Sequence, residues 1–397
     1  MYKASSYLLF LIVFVIGCSS KSKKSINEKI HSDNRTSTAF IQLPQNGKQQ
    51  LNASEFADTV IYIPLETLSK SFIRRITQVQ LISDRIFLNC FDKLLVYSKN
   101  GKFIRQIGKN GKGPGEYLII FGFEVINDTI FISTTGKRSL LKYSLQGEFL
   151  GEQATHSSFA YFTVTPSNSI VEYDRDNETL VFFNRKFEII DTVVIESAVS
   201  NKRGFYSWWD DFDTFFHKSD GKLFFTNYMS DTIWDISSGE KNIGYILNLG
   251  DKLLPKKYQV EYFNGDFERF KKMAAPFQKM NLVETPSYLF LFQKGWIENN
   301  IHSIYIHDRT KNITRKFETT YIFDDLVGNQ NLIPHYSTNN YIIATLNPIK
   351  LKEKLKNINN GENVGGNTPS PQWLKQMELV DENDNPILVL MKVRNTN

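Results

Sequence analysis

The chain has 397 residues, a net charge of +5 and only two cysteines. These values exclude a disulfide-knitted scaffold, and no basic stretch interleaved with aromatics recurs, so a nucleic-acid partner is not expected. With 31 Phe, 18 Tyr and 5 Trp, the sequence can bury a large core,.

Met1, Tyr2 and Lys3 lead into an apolar run over residues 7–16, and Gly17-Cys18 follows at once. A positive start, an apolar core and a small residue at the cut define a secretory signal peptide. The cysteine after the small residue resembles the lipobox of bacterial lipoproteins, in which the cysteine is diacylated and becomes the first mature residue. An ordinary signal peptide with a chance cysteine is the competing reading. A spanning anchor is disfavoured because the run is shorter than the ~20 residues a membrane helix needs. The predicted organisation is a signal peptide over residues 1–17, lipidation at Cys18, a flexible tether over 18–50 and a folded domain over 51–397. Ser, Lys, Asn and Gln dominate the tether, and Lys21, Lys23 and Lys24 suit a linker near anionic headgroups,. With Cys18 acylated, Cys90 has no intramolecular partner, and its apolar setting predicts a buried, inert thiol,.

From Thr59 onward, short runs of Val, Ile, Phe, Tyr and Leu alternate with Asn-Gly, Asp-Gly and Asn-Asp turns, the signature of strands and hairpins,. The runs group into units with a period of about 40 residues, which marks a propeller or solenoid. The units cover 76–107, 122–151, 159–195, 212–249 and 283–317, and a broken sixth covers 341–346 and 386–393. The first two units share one phrase, in which a Tyr-Ser pair (Tyr97, Ser98; Tyr143, Ser144) is followed by Gly101 or Gly147 and then Phe103 or Phe149. Two insertions are predicted helical. Phe263, Phe267, Phe270, Ala274 and Phe277 share one helix face, with Asp266 as cap and Pro276 as terminator,. Leu351, Leu355 and Ile358 form a second stripe, and a short helix is expected over 372–379 after a loop rich in Asn, Gly and Pro.

A lone meander cannot bury both faces or protect its edges, and radial closure of several meanders does both. The fold class is therefore all-β: a six-bladed β-propeller with small helical insertions. The strand at 59–64 is expected to complete the last blade beside 386–393.

Ile63-Pro64-Leu65-Glu66-Thr67, Gly101-Lys102-Phe103-Ile104, Gly113-Pro114-Gly115-Glu116-Tyr117, Ser230-Asp231-Thr232-Ile233-Trp234 and Asn383-Asp384-Asn385-Pro386 together resemble the six-bladed β-propeller lipoproteins of Bacteroidetes, within the wider class of NHL-repeat-like propellers. The resemblance spans Thr59 to the end of the chain. It implies the fold and names no activity. Surface-displayed lipoproteins of that phylum carry acidic residues just after the lipid cysteine. Residues 19–24 have none, which implies an outer-membrane lipoprotein facing the periplasm.

Candidate chemistry is sparse. The glycine-rich loop at 108–117 lacks the following helix with Lys-Ser/Thr that a phosphate loop needs, and reads as a blade-to-blade crossover anchored by Glu116 and Tyr117,. His31, His156, His217, His302, His307 and His335 show no helical metal-ligand spacing, and His302 and His307 fall on opposite faces of one strand,. No metal site and no cofactor are expected. The best binding candidate is the segment with Tyr206, Trp208, Trp209, Asp210 and Asp211, where aromatic planes beside carboxylates suit a sugar or peptide,. Packing between blades is the competing fate of these rings. Asp174, Arg175 and Asp176 add charges that belong either to a face or to an exposed hairpin turn.

The leading expectation is a monomeric, membrane-tethered, non-enzymatic binding module for a peptide, protein or glycan. The alternative is a propeller lyase or lactone hydrolase with a metal in the central channel. The tether is testable: in cells fed labelled palmitate, the wild-type chain is expected to take up label and Cys18→Ala to take up none. A label-free wild-type protein would overturn the lipobox assignment.

Overall fold

The computed structural model describes residues 39–155, 161–174, 177–195, 215–227, 230–258, 267–298, 300–359 and 369–395. Six antiparallel four-stranded meanders stand around a central axis as a six-bladed β-propeller. The innermost strands, in blade order, are Gln78–Ile82, Ile120–Ile126, Tyr161–Val164, Phe216–Ser219, Gln278–Glu284 and Pro334–Thr338. Five of them turn back through a hairpin with a residue at positive φ, such as Asn127 (47°) and Asp128 (60°) in blade two, and in blade five the turn runs through Thr285, Pro286 and Ser287,. Alternate residues of successive strands pack against neighbouring blades. Phe87 and Val96 of blade one, for example, share a core with Phe123, Ile130 and Ile132 of blade two,.

The ring closes as the sequence predicts. The strand Ala57–Pro64 is the outer strand of blade six, antiparallel to Ile387–Val393, with Val60 opposite Met391 and Ile63 opposite Leu388. Pro64 is accommodated because an outermost strand leaves its outward N–H positions without ladder partners.

The motifs that carry the family resemblance hold this closure. The Glu66 amide donates to the Gly101 carbonyl, and the Glu66 carboxylate accepts from the Phe103 amide at 2.9 Å and from Lys102 Nζ at 3.3 Å. These bonds hold the Glu66 carboxyl below its ordinary pKa, with the Phe103 amide as the largest cause. Gly101 has φ of 79°, and a Cβ there would meet the Pro64 carbonyl oxygen, so the turn takes glycine,. Asn385 is buried and ties the last strand to the first blade. Its Nδ2 donates to the carbonyls of Ser71 (2.9 Å) and Glu66 (3.1 Å), and its Oδ1 accepts from the Ile73 amide (2.8 Å).

Three features differ from the sequence reading. Residues 39–50 do not behave as tether. Ala39–Gln42 adds to the outer strand of blade four in parallel, Ala39 opposite Tyr245 and Gln42 opposite Asn248, and Ile41 is buried beside Leu247. The chain then bridges Lys48 to Phe317 of blade five and Asn52 to Phe323 before entering blade six. The first helical insertion ends before its stripe does, while Phe263 and Asp266 lie outside the described residues. It runs Phe267–Ala274, with Phe270 and Ala274 buried, and Phe277 lies beyond it at the start of a strand the stripe had concealed. The inner strand of blade six, Pro334–Thr338, also had no clear signal.

The second insertion forms as expected. Helix Pro348–Asn359 buries Leu351 and Leu355, and helix Pro371–Glu378 is capped by the Ser370 hydroxyl, which accepts from the Trp373 amide at 3.2 Å,. Trp373 packs edge-on against Tyr62 of the closing strand, 5.3 Å between centroids. The Tyr62 hydroxyl donates to buried Asp324 at 2.6 Å.

Asn385→Ala removes the side-chain hydrogen bonds to Ser71, Glu66, Ile73 and Tyr97 and leaves the buried Ile73 amide unpaired. The expected cost is about 3 kcal/mol, read as a lower midpoint in urea. Unchanged stability would show that closure does not rest on this residue.

Candidate functional site

The inner strands enclose a channel of about 670 Å³ along the propeller axis. One mouth is set by the N-terminal ends of these strands, where the blade-to-blade connections arrive. The other is set by the tight hairpins. At the first mouth, three aromatic rings from three successive blades form an arc: Phe121, Tyr161 and Phe215. Phe121 and Tyr161 lie 6.2 Å apart and tilted, and Tyr161 meets Phe215 edge-on at 5.0 Å. Phe121 and Tyr161 are half-buried and line the channel, whereas Phe215 is buried in the core between blades three and four and backs Tyr161. Tyr173 backs Phe215 at 5.0 Å and holds it in place.

Deeper in the channel the wall is polar and centred on Glu124. The Gln78 amide pairs with both backbone groups of Phe123, at 2.9 and 3.0 Å, stitching blade one to blade two. One carboxylate oxygen of Glu124 accepts from the Thr163 hydroxyl of blade three at 2.7 Å and from Lys218 Nζ of blade four at 2.9 Å. Gln80 of blade one reaches the other oxygen at 3.4 Å. Four blades thus converge on one carboxylate. The two charges differ in access: the Glu124 side chain is 11% exposed and that of Lys218 is 46% exposed. His217, beside Lys218, shares a 2.9 Å hydrogen bond with the Thr226 hydroxyl.

Near the hairpin mouth a second charged pair, both members from blade five, reaches across to blade four through its arginine. Arg309 donates to buried Glu284 and, at 3.1 Å, to the Ser219 hydroxyl, and its guanidinium lies over Phe224 at 5.5 Å. Burial pushes the Glu284 carboxyl up to about 7, and Arg309 opposes that rise without cancelling it,. Removal of either partner would strand the other in a dry interface, and Glu284 thereby holds Arg309 in place for its contacts with Ser219 and Phe224 of blade four,.

The glycine-rich loop is the expected crossover. Lys109-Asn110 and Glu116-Tyr117 form a two-residue parallel pair. The Glu116 carboxylate accepts from the Gly113 amide at 2.8 Å, and the buried Tyr117 hydroxyl donates to the Ile107 carbonyl at 2.5 Å. Cys90 is buried, and that burial raises its thiol pKa well above the usual range, in keeping with an inert role. His302 is exposed and His307 buried, on opposite faces of their strand. Asp174 departs from both sequence readings. It is buried at the end of its strand, where its carboxylate accepts from the Asn177 amide nitrogens, so it is neither a face charge nor an exposed turn residue. Arg175, Asp176, Cys18 and the segment with Tyr206, Trp208, Trp209, Asp210 and Asp211 lie outside the described residues. Among the described residues, no three His, Cys, Asp or Glu side chains are grouped to hold a metal ion, and no helix is long and apolar enough to cross a membrane.

Glu124 and Lys218 went unnoticed in the sequence. A signal for them exists: each is a charged residue inside an otherwise strand-like run, at the inner position of its repeat.

The structure is similar to that of an exported protein from Bacteroides fragilis NCTC 9343, at 16% identity and a TM-score of 0.69, over 90% of this chain and 100% of that one. A member of the DUF4221 family from Bacteroides vulgatus ATCC 8482 is similar at 11% identity and a TM-score of 0.49, covering 85% and 97% of the two chains. Virginiamycin B lyase from Staphylococcus aureus is similar at 10% identity and a TM-score of 0.42, covering 84% and 99%. The first likeness shows the fold alone, and the other two carry no argument. No curated protein matches the sequence. The model of one family matches nearly the whole described ring, residues 39–392, and the chain belongs to that family, the domain of unknown function DUF4934.

Proposed function

We propose that the protein is a lipid-anchored binding module of the bacterial envelope, held by Cys18 in the outer membrane on its periplasmic side, and that it takes a peptide, protein or glycan partner without chemical conversion. The observation that carries this reading is the pair Phe121 and Tyr161, backed by buried Phe215, standing over a polar wall in a 670 Å³ channel. Aromatic faces stack on sugar rings or apolar side chains, and polar groups behind them fix orientation. The lumen's buried carboxylate, Glu124, is committed to Thr163 and Lys218, an arrangement that supports recognition more than turnover. Export is supported by the signal-like start of the chain and by the exported Bacteroides protein of the same fold. On sequence grounds, Tyr206, Trp208, Trp209, Asp210 and Asp211 are proposed as further ligand contacts. They precede Phe215 in the chain.

The test is screening of the soluble mature domain on glycan arrays and displayed random peptides, then comparison of two variants on the hits. Phe121→Ala/Tyr161→Ala is expected to weaken binding about tenfold or more, the scale of a lost aromatic contact or two. Trp208→Ala/Trp209→Ala is expected to weaken binding with unchanged melting. A large loss of stability in the tryptophan variant would assign those rings to the core. Binding unaffected by the arc variant would move the site away from the channel mouth.

A further inference from the structure

We infer that the channel accepts the carboxylate-bearing end of an extended chain, inserted from the aromatic mouth until its carboxylate meets Lys218. The inference rests on the binding reading above and narrows its ligand class.

Channel dimensions come first. Inner strands of about five residues, rising about 3.3 Å each, give a channel about 17 Å long. A volume of 670 Å³ over that length leaves a section of about 40 Å²,. That admits one extended chain and excludes a folded domain. A partner therefore enters end-on or docks outside.

The charges that an entering end would meet come next. Glu124 is covered by its partners, whereas almost half of the Lys218 side chain is open. An ammonium has three N–H donors, and among the described residues Glu124 is the one acceptor that Lys218 holds. The other lining lysine, Lys222, likewise holds one carboxylate, Asp235 at 3.3 Å, but it lies past the hairpin turn with Asp220, so an end entering from the aromatic mouth reaches Lys218 before either. Lys218 therefore offers the lumen unspent donors and a positive charge between low-dielectric walls, where charge-assisted hydrogen bonds are stronger than in water. A neutral end would gain neither. A cationic end would meet Lys218 first and be repelled.

A terminal carboxylate belongs to a peptide C-terminus and also to an acidic sugar, and the test separates them. Acetyl-trialanine and its C-terminal amide form one pair of probes, and tri-galacturonate and its methyl ester the other, each titrated calorimetrically into the mature domain. In at least one pair the acid is expected to bind about ten- to a hundredfold tighter than its neutral form, the worth of a charge-assisted hydrogen bond. Whichever pair responds names the source. Lys218→Met is expected to erase the acid preference and Lys218→Arg to retain it. Glu124→Gln removes the competing anion and is expected to strengthen acid binding. Melting curves of all three variants establish that they fold. Equal affinity for acid and neutral forms, an acid preference that survives Lys218→Met in a folded protein, or no acid binding at millimolar concentration would each overturn the inference. If the aromatic-arc variant still loses its array hits in those cases, the binding module stands and only its ligand class falls.

Discussion

Everything in this molecule depends on a pairing between its two ends. A β-propeller built from one chain has a single seam, and here the seam is the ladder between Ala57–Pro64 and Ile387–Val393. Without it, blade six would expose an unpaired edge and the channel would be an open groove. The seam is strengthened where backbone pairing alone is weakest. Asn385 bonds the segment leading into the first blade, Glu66 grips the outer turn of that blade, and Tyr62 is clamped between Trp373 and Asp324. Residues that make the sequence look familiar are therefore mostly closure devices. They report on how the ring is built and carry little information about what it binds.

The legibility of the sequence follows from the range of each interaction. Strand meanders are local: each hairpin joins neighbours in sequence, and turn residues such as Asn127-Asp128 write the punctuation between apolar runs,. Five units and both helical insertions could be read for that reason. Ile41 could not. It is one apolar residue in a polar stretch, and its burial depends on Leu247, about two hundred residues away. Pro334–Thr338 was hidden similarly, as a strand with His335 and Ser337 among its apolar positions, stabilised by the Tyr336 hydroxyl donating to the Ile76 carbonyl of the neighbouring blade.

The site was less legible than the fold. Its rings, Phe121, Tyr161 and Phe215, look like ordinary strand residues, because a ring that lines a channel and a ring that fills a core have the same local sequence. Only their position at the same end of three inner strands brings them together. Glu124 and Lys218 are two blades apart, and no spacing rule along the chain anticipates a bond across a lumen. Hub-like sharing of one carboxylate by several blades also couples the site to the scaffold: a change that disturbs Glu124 alters both the channel surface and the contacts that keep four inner strands in register.

The rim-hugging course of residues 39–56 has a consequence in time. A chain delivered N-terminus first presents Ala39–Gln42 and Ala57–Pro64 before any of their partner strands exist. The first waits for Asn242–Asn248 and the second for the last strand of the chain, so neither can pair until most of the protein has arrived. Contacts so distant in sequence form slowly, and unpaired strands invite association with other chains in the interval. The polar composition around Ile41 and Gln45-Asn46-Gly47-Lys48 suits that wait: it keeps the earliest-made part of the ring solvated until the blades it straps are in place.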